Sequence, residues 1–435
     1  MTKEQKPEKK QKIAIVGAGI SGILVANRLL ASSKNCDVTL LDDQTALGGG
    51  SCSLDWERKL WSPHPSLISR ALHDFIANAL LSTHNDSSKP DLEFHPSELN
   101  LLVQKQVIKL PPSLAQDTRL PKALGGTSAQ KNWKTLWESE LFSSPKDESG
   151  SLAKMLAPKL KDNLATTLKM LSSWNGTSSW QKASPRAFKE RNEYCSSLTV
   201  SPSLEKIYLS LLSYEEGKNF SLLLNEKIIS SSYENKQWTL KTKESSLKFD
   251  KLIVAHSPWE ALAWMDRKDI PTSLLKMALK TKPLSLISLT KKIKEGAEDI
   301  PPQMIMPAEQ STIRRIDNNL YLSLNLDYES SMDAPSVTKA LKALRRSSIK
   351  MLKYFPSLVL EGEHIALHPI AWSQSTHYSD IDYINKLSSY NYFSEHLAFC
   401  GESYGPSYKP DENIIKSVIA CTNHFSSRPK EGIQI

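Results

Sequence analysis

This chain of 435 residues is poor in cysteine, has no run of eighteen apolar residues, and shows no basic strand interleaved with aromatic side chains. Without a long apolar run no membrane-spanning helix is indicated. The five cysteines, Cys36, Cys52, Cys195, Cys400 and Cys421, are odd in number and lack the C-x-x-C or Cys/His spacing of a zinc site. They read as free thiols in a reducing compartment. The opening Met1-Thr-Lys-Glu-Gln-Lys6 is charged and lacks the apolar stretch of a secretion signal, so a cytoplasmic location is expected. Nucleic-acid readout is not expected, because no aromatic residues alternate with the basic ones.

The chain carries a net charge of +8, and part of it sits in Lys3–Lys12, which holds five lysines and two glutamates. Residues 1–11 therefore read as a solvated, disordered basic leader in preference to a membrane-binding patch. The length suggests two or three folding units.

The richest stretch is Lys12-Ile-Ala-Ile-Val-Gly17-Ala18-Gly19-Ile20-Ser21-Gly22, followed by a helical run and then Val38-Thr-Leu-Leu41-Asp42. An apolar strand, a Gly-x-Gly-x-x-Gly turn, a helix, a second strand and a terminal acid make one βαβ dinucleotide-binding unit. Gly17 permits the tight turn, Gly19 lets the backbone approach a pyrophosphate at the helix N-terminus, and Gly22 lets the helix lie close to the strand. Asp42 stands where it can accept from a ribose hydroxyl, with Asp43 beside it. A second glycine cluster, Gly48-Gly49-Gly50, follows closely. A nicotinamide enzyme has no need of it, whereas an extended FAD needs backbone near its flavin end, so FAD is the expected cofactor.

The run Val38 to Gly49 resembles the fingerprint of the flavoprotein group that contains amine oxidases, phytoene desaturases and protoporphyrinogen oxidases. Further segments resemble protoporphyrinogen oxidases in particular. Trp61-Ser62-Pro63-His64 falls where that family has a Gly-Pro turn beside the flavin, with serine in place of the glycine. Leu99–Pro111 has the pattern of the family's hairpin that opens the substrate region, without the arginine that often leads it. Glu148–Gly176 follows the family's helix pair. Ala371-Trp372-Ser-Gln-Ser-Thr-His377 resembles a loop near the cofactor. Gly401-Glu402-Ser403-Tyr404 and Pro410-Asp411 resemble the last FAD motif, a strand, a polar turn and a helix whose N-terminus points at the flavin. A residue at the place of Ile228 lends backbone groups to the adenine.

The implied architecture is α/β: a discontinuous Rossmann-like FAD-binding domain (12–88, 218–272 and 375–435), an inserted helical domain (89–217) and a mixed-sheet substrate domain (273–374). Period-two patterns at Leu284–Thr290 and Asn319–Asn325 predict strands, and 336–355 reads as a helix. In relatives the helical domain often docks on a membrane. Here Trp133, Trp137, Trp174 and Trp180 could face a bilayer, although buried core is the commoner fate of such residues.

The resemblance implies FAD-dependent oxidation of protoporphyrinogen IX to protoporphyrin IX, with dioxygen or another acceptor taking the electrons. Coproporphyrinogen III oxidation, an amine oxidase and a non-catalytic flavin-binding protein are the alternatives. No catalytic residue is named, because aromatisation drives the reaction and the protein mainly positions the substrate. Arg58, Arg70, Arg119, Arg186, Arg314 and Arg315 are candidates for an anion clamp, against the ordinary fate of arginine as solvated surface charge. No metal site is expected: His364 and His368 share a strand face but stand too far apart for one ion.

Overall fold

The computed structural model describes residues 10–32, 35–48, 54–56, 59–61, 67–83, 95–96, 99–103, 106–109, 199–200, 211, 219–280, 284–306, 311–316, 318–370, 394–402, 404 and 410–426. The chain begins with the expected βαβ unit: β1 (Gln11–Val16), α1 (Ile20–Ser32) and β2 (Cys36–Leu41). A hairpin of β3 (Leu54–Trp56) and β4 (Lys59–Trp61) follows, then β5 (Leu67–Ile68), α2 (Arg70–Thr83) and β6 (His95–Pro96). β7 (Leu99–Val103) and β8 (Gln106–Lys109) form the hairpin that their alternating pattern predicts.

After β9 (Thr199–Val200) and β10 (Phe220–Leu223) comes an antiparallel meander of β11 (Ile228–Glu234), β12 (Gln237–Thr242) and β13 (Ser246–Phe249). Then follow β14 (Lys251–Val254), α3 (Pro258–Ala261) and α4 (Thr272–Lys280). The next stretch is mostly strand: β15 (Leu284–Glu295), β16 (Gln303–Met306), β17 (Ser311–Ile316) and β18 (Asn319–Asp327). The last elements are α5 (Tyr328–Ser331), α6 (Ala334–Tyr354), β19 (Val359–Ile370), β20 (Leu397–Phe399) and α7 (Pro410–Phe425).

Two larger sheets organise these elements. The first has the order β10-β2-β1-β14-β20, and every neighbouring pair is parallel. Its strands alternate between two cores. Ile13, Ile15, Val38 and Leu40 face α1, α2 and α7, while Ala14, Val16, Leu41, Leu252 and Val254 face the meander residues Ile228, Trp238, Leu240 and Phe249. This is why the strands read as continuous apolar runs: both faces are covered. Each fully buried leucine or isoleucine stabilises the domain by about 1.5–3 kcal/mol. Chain order reverses between β1 and β14, so the sheet has a switch point at that pair.

The second sheet has the order β19-β15-β18-β17-β16-β7-β8. It is antiparallel except where β16 meets β7, with Gln303 in register with Leu99. The helix α6 packs on one face through Ala340, Leu344 and Met351, against Ile287, Leu289, Ile313, Leu320 and Leu322. Asp333 caps that helix by accepting from Ser336 N–H at 2.9 Å, and the helix stops before Pro356.

The hairpin β7–β8 falls within the 89–217 span that reads as helical, yet it completes the second sheet. Its partner strand lies some two hundred residues downstream, a pairing that local periodicity does not reveal. The expected helix pair at 148–176, the helical domain's Trp133, Trp137, Trp174 and Trp180, and most of the basic leader lie outside the described residues. Among the described residues no helix is long and apolar enough to cross a membrane.

Candidate functional site

The glycine turn sits at the switch point. Gly17 has φ +110°, a left-handed conformation that a side chain would strain, and a Cβ there would stand 2.9 Å from the Ala255 carbonyl oxygen at the end of β14. Its N–H donates to the Leu41 carbonyl at 2.8 Å, which ties the turn to the end of β2. Gly22 is a close approach of helix to turn: a Cβ would meet the Gly17 carbonyl oxygen at 1.9 Å. Gly19 is the opposite case, with nothing within 4 Å of where its Cβ would be. The open space lies at the start of α1, where the first N–H groups of the helix have no intrahelical acceptor and favour an anion. Ala18, Ile20 and Ser21 surround that point on the same turn.

Asp42 ends β2 beside this turn. One carboxylate oxygen accepts from Ala18 N–H at 2.5 Å and the other from Gln44 N–H at 2.9 Å. Burial pushes the Asp42 carboxyl above the ordinary aspartate range, and these two backbone bonds act in the opposite sense. Each oxygen keeps lone-pair capacity for a further donor such as a diol. Asp43 is exposed and accepts from the Gln44 side chain at 2.8 Å. The segment leading to β11 docks here as well: Glu226 N–H donates to the Asp42 carbonyl and Asn225 N–H to the Gln44 carbonyl, each at 2.9 Å. Buried Ile228 thereby follows directly from the acid's neighbourhood. Gly48, at φ +113°, donates its N–H to the Ala18 carbonyl at 2.8 Å, which folds the second glycine cluster back onto the first.

The C-terminal motif reaches the same crevice. At Gly401 a Cβ would lie 3.6 Å from Ser21 Oγ, and its N–H donates to buried Ser417 Oγ on α7 at 2.9 Å. The Glu402 carbonyl accepts from the Asn413 side chain at 2.9 Å. Asp411, buried in the first turn of α7 beside Pro410, accepts from Ser69 N–H at 2.6 Å and so holds the start of α2. Gly49, Gly50, Ser62, Pro63, His64, Trp372 and Ser403 lie outside the described residues.

Sequence reading missed His256. It follows Ala255 at the end of β14, and its Cβ would lie 3.4 Å from a Cβ on Gly17. The Trp264 indole can only donate, and it donates to His256 Nε2 at 3.3 Å. Nε2 therefore lacks a proton, and Nδ1–H donates to the Ser257 carbonyl at 3.0 Å. The His256 carbonyl accepts from the buried Tyr404 hydroxyl at 2.8 Å. Its sequence signal was its place after an apolar strand returning to the nucleotide unit.

The residues fit a dinucleotide. A backbone cradle is open at Gly19, a helix N-terminus faces it, and an acid stands at the ribose position. Residues 15–75 match the family described as NAD(P)-binding Rossmann-like domain. No curated protein sequence matches the chain. Solved structures do match it over nearly its whole length. An oxidoreductase from Methanosarcina mazei is 14% identical, with 94% of this chain and 100% of that one covered at a TM-score of 0.65. Cyclohexylamine oxidase from Brevibacterium oxydans IH-35A is 12% identical, with 95% and 99% covered and a TM-score of 0.65. An Exiguobacterium sp. 255-15 protein provisionally designated a protoporphyrinogen oxidase is 15% identical, with 96% and 99% covered and a TM-score of 0.62. Identities of this size show a shared fold. The chain carries a Rossmann-like dinucleotide-binding unit within the mixed α/β fold of the FAD oxidoreductases.

Proposed function

We propose that this protein is an FAD-dependent oxidoreductase that converts protoporphyrinogen IX to protoporphyrin IX. The observation that carries the flavin reading is the doubled glycine cradle, in which Gly48 is hydrogen-bonded back onto Ala18 between the open Gly19 and the acid Asp42. A short nicotinamide site needs only the first of these turns. The porphyrinogen reading draws its support from the sequence landmarks at 99–111 and 401–411. The likeness to the Exiguobacterium protein supports it as well.

In this reading the N–H groups of Gly19, Ile20 and Ser21 bind the pyrophosphate, and Asp42 accepts from the adenosine ribose hydroxyls. Ile228 borders the adenine, and the turn at Gly401 and Glu402, braced by Asn413 and Ser417, borders the flavin end. Bound FAD supplies a two-electron hydride acceptor. The chain's own contribution is to orient the substrate and keep water from it. Six hydrogens leave the macrocycle as three hydride–proton pairs. With dioxygen as terminal acceptor, three molecules are reduced to three of hydrogen peroxide. Contact with the inner face of the cell membrane belongs to the same reading, because the substrate is largely apolar.

Amine oxidation is the rival that the cyclohexylamine oxidase fold brings forward. The C-terminal motif speaks against it. Tyr404 is buried and its hydroxyl is engaged by the His256 carbonyl, so its ring does not serve as a wall of an aromatic cage. The test is growth of porphyrin fluorescence when the FAD-loaded protein meets protoporphyrinogen IX or coproporphyrinogen III in air. Growth above the protein-free rate with protoporphyrinogen IX is expected. Turnover of coproporphyrinogen III alone would move the assignment to that substrate, and turnover of neither would reject porphyrinogen oxidation.

A further inference from the structure

One row of polar side chains crosses the seven-stranded sheet on the face turned away from α6. The strand register defines it. Gln303 on β16 pairs with Arg314 on β17, Arg314 with Tyr321 on β18, Tyr321 with Thr290 on β15, and Thr290 with His364 on β19. Directly opposed residues share a face and stand about 4.5–5.5 Å apart. The flanking positions Ile313, Leu322 and Leu289 belong to the apolar core under α6, so the alternation assigns the row to the other face.

The middle of that face is buried, with Arg314 and His364 half-buried, yet it is built of polar groups. Gln303 and Thr290 are 0% exposed, and Tyr321, Ser288 and Ser323 are buried with them. Among the described residues the Gln303 amide nitrogen and oxygen and the Thr290 hydroxyl have no hydrogen-bond partner. Buried amides and hydroxyls are nearly always paired, and an unpaired one is a reason to look for a ligand. The opposite face, by contrast, is filled mainly with isoleucine, leucine and methionine, and its buried Ser285 and Ser311 are paired with Ser331 and Ser347.

We propose that this row is a carboxylate subsite of the substrate cleft, in which Arg314 pairs with a ligand carboxylate and Gln303, Tyr321 and Thr290 donate beside it. The guanidinium fork matches a carboxylate in two parallel hydrogen bonds, and the amide and hydroxyls have the donors that the remaining lone pairs need. Burial pushes the His364 imidazole down, towards its neutral form. Arg314 brings a permanent positive charge and a planar fork to the row, which suits a carboxylate. The identity of the ligand as a porphyrinogen bearing propionates rests on the function proposed above.

The test is a titration of FAD-loaded protein, followed by tryptophan fluorescence, with three probes: protoporphyrin IX, its dimethyl ester, and octanoate as a carboxylate free of porphyrin. Arg314→Gln is expected to weaken binding of the free acid at least tenfold and leave the ester unchanged. Gln303→Leu should weaken the acid by about threefold, in line with loss of one neutral hydrogen bond. A merely structural role would move acid and ester alike. Equal acid-to-ester ratios in the wild type and Arg314→Gln would overturn the subsite, even if porphyrinogen is turned over. If neither porphyrin binds, Arg314-dependent binding of octanoate supports the subsite while rejecting the porphyrin. Octanoate binding that ignores Arg314 would overturn it. Should Arg314→Gln lose flavin or fold, Arg314→Lys and Gln303→Leu carry the same comparison.

Discussion

At the ends of β1, β2, β14 and β20 the groups that face a ligand are mostly backbone. Gly19 offers open space at the start of α1, Gly17, Gly48 and Gly401 shape the turns around it through their own internal hydrogen bonds, and Asp42 is the main side chain. Across β15 to β19 the polar groups are all side chains, and the backbone is spent in the ladder. The first kind of site is specified by where residues cannot have a Cβ. The second is specified by which strands lie opposite one another. The two should therefore break differently.

The largest effect is expected where backbone meets backbone. Gly22→Val places atoms where the Gly17 carbonyl stands, with a Cβ contact of 1.9 Å, so the helix must leave the strand. Overpacking of this kind costs about 3 kcal/mol. Thermal unfolding should show a large loss of stability together with loss of bound flavin. If Gly22→Val retains both, the tight turn is not what holds α1.

Gly19→Ala sharpens the comparison, because its Cβ would enter open space. Stability should change by less than about 0.5 kcal/mol, as at an unencumbered site. In the flavin reading proposed above, affinity should nevertheless fall about tenfold, or about 1.4 kcal/mol, because the methyl would occupy room that a pyrophosphate needs. Equal flavin binding by Gly19→Ala would remove that turn from the cofactor seat.

These two glycines were legible in the sequence, and so was Asp42, because strand, turn, helix and acid lie within one local stretch. The parallel sheet followed from the same unit. The polar row was not legible. Arg314 and Arg315 are adjacent and identical in type, and only the register separates them: Arg314 joins the row through Gln303 and Tyr321, while Arg315 donates to the Ile300 carbonyl at 2.9 Å. Arg70, a third candidate, is exposed at the start of α2 beside Asp74. His256 escaped notice for a similar reason, since its neighbours Gly17 and Tyr404 come from opposite ends of the chain.

A smaller, pH-dependent effect belongs to Asp42. Its folded-state value is raised by burial, so the apoprotein gains stability as pH falls through that raised value. Protonation removes ribose-accepting capacity over the same window, so flavin retention should fall on acidification while apoprotein stability rises. Asp42→Asn should flatten both profiles when flavin release and unfolding are followed against pH. Opposed trends that persist in Asp42→Asn would point to another group.

The smallest effect is expected on the sheet's charged surface. Arg345 donates to Glu363 at 2.9 and 2.5 Å and holds that carboxyl below the usual glutamate range. The lowered value gives stability that is present above the unfolded-state value and lost as pH falls through the folded one. The pair is solvent-exposed, so Arg345→Ala should leave the melting temperature nearly unchanged at moderate salt and leave flavin and porphyrin binding alone. A large loss there would mean that the charged surface, and not the buried row, organises this sheet.

The most direct measurement is anaerobic mixing of the FAD-loaded protein with protoporphyrinogen IX while flavin absorbance and porphyrin emission are recorded together. The account predicts that the flavin bleaches as porphyrin emission appears, and that admitting air restores the flavin colour. A flavin that stays oxidised in the presence of excess protoporphyrinogen IX would contradict it.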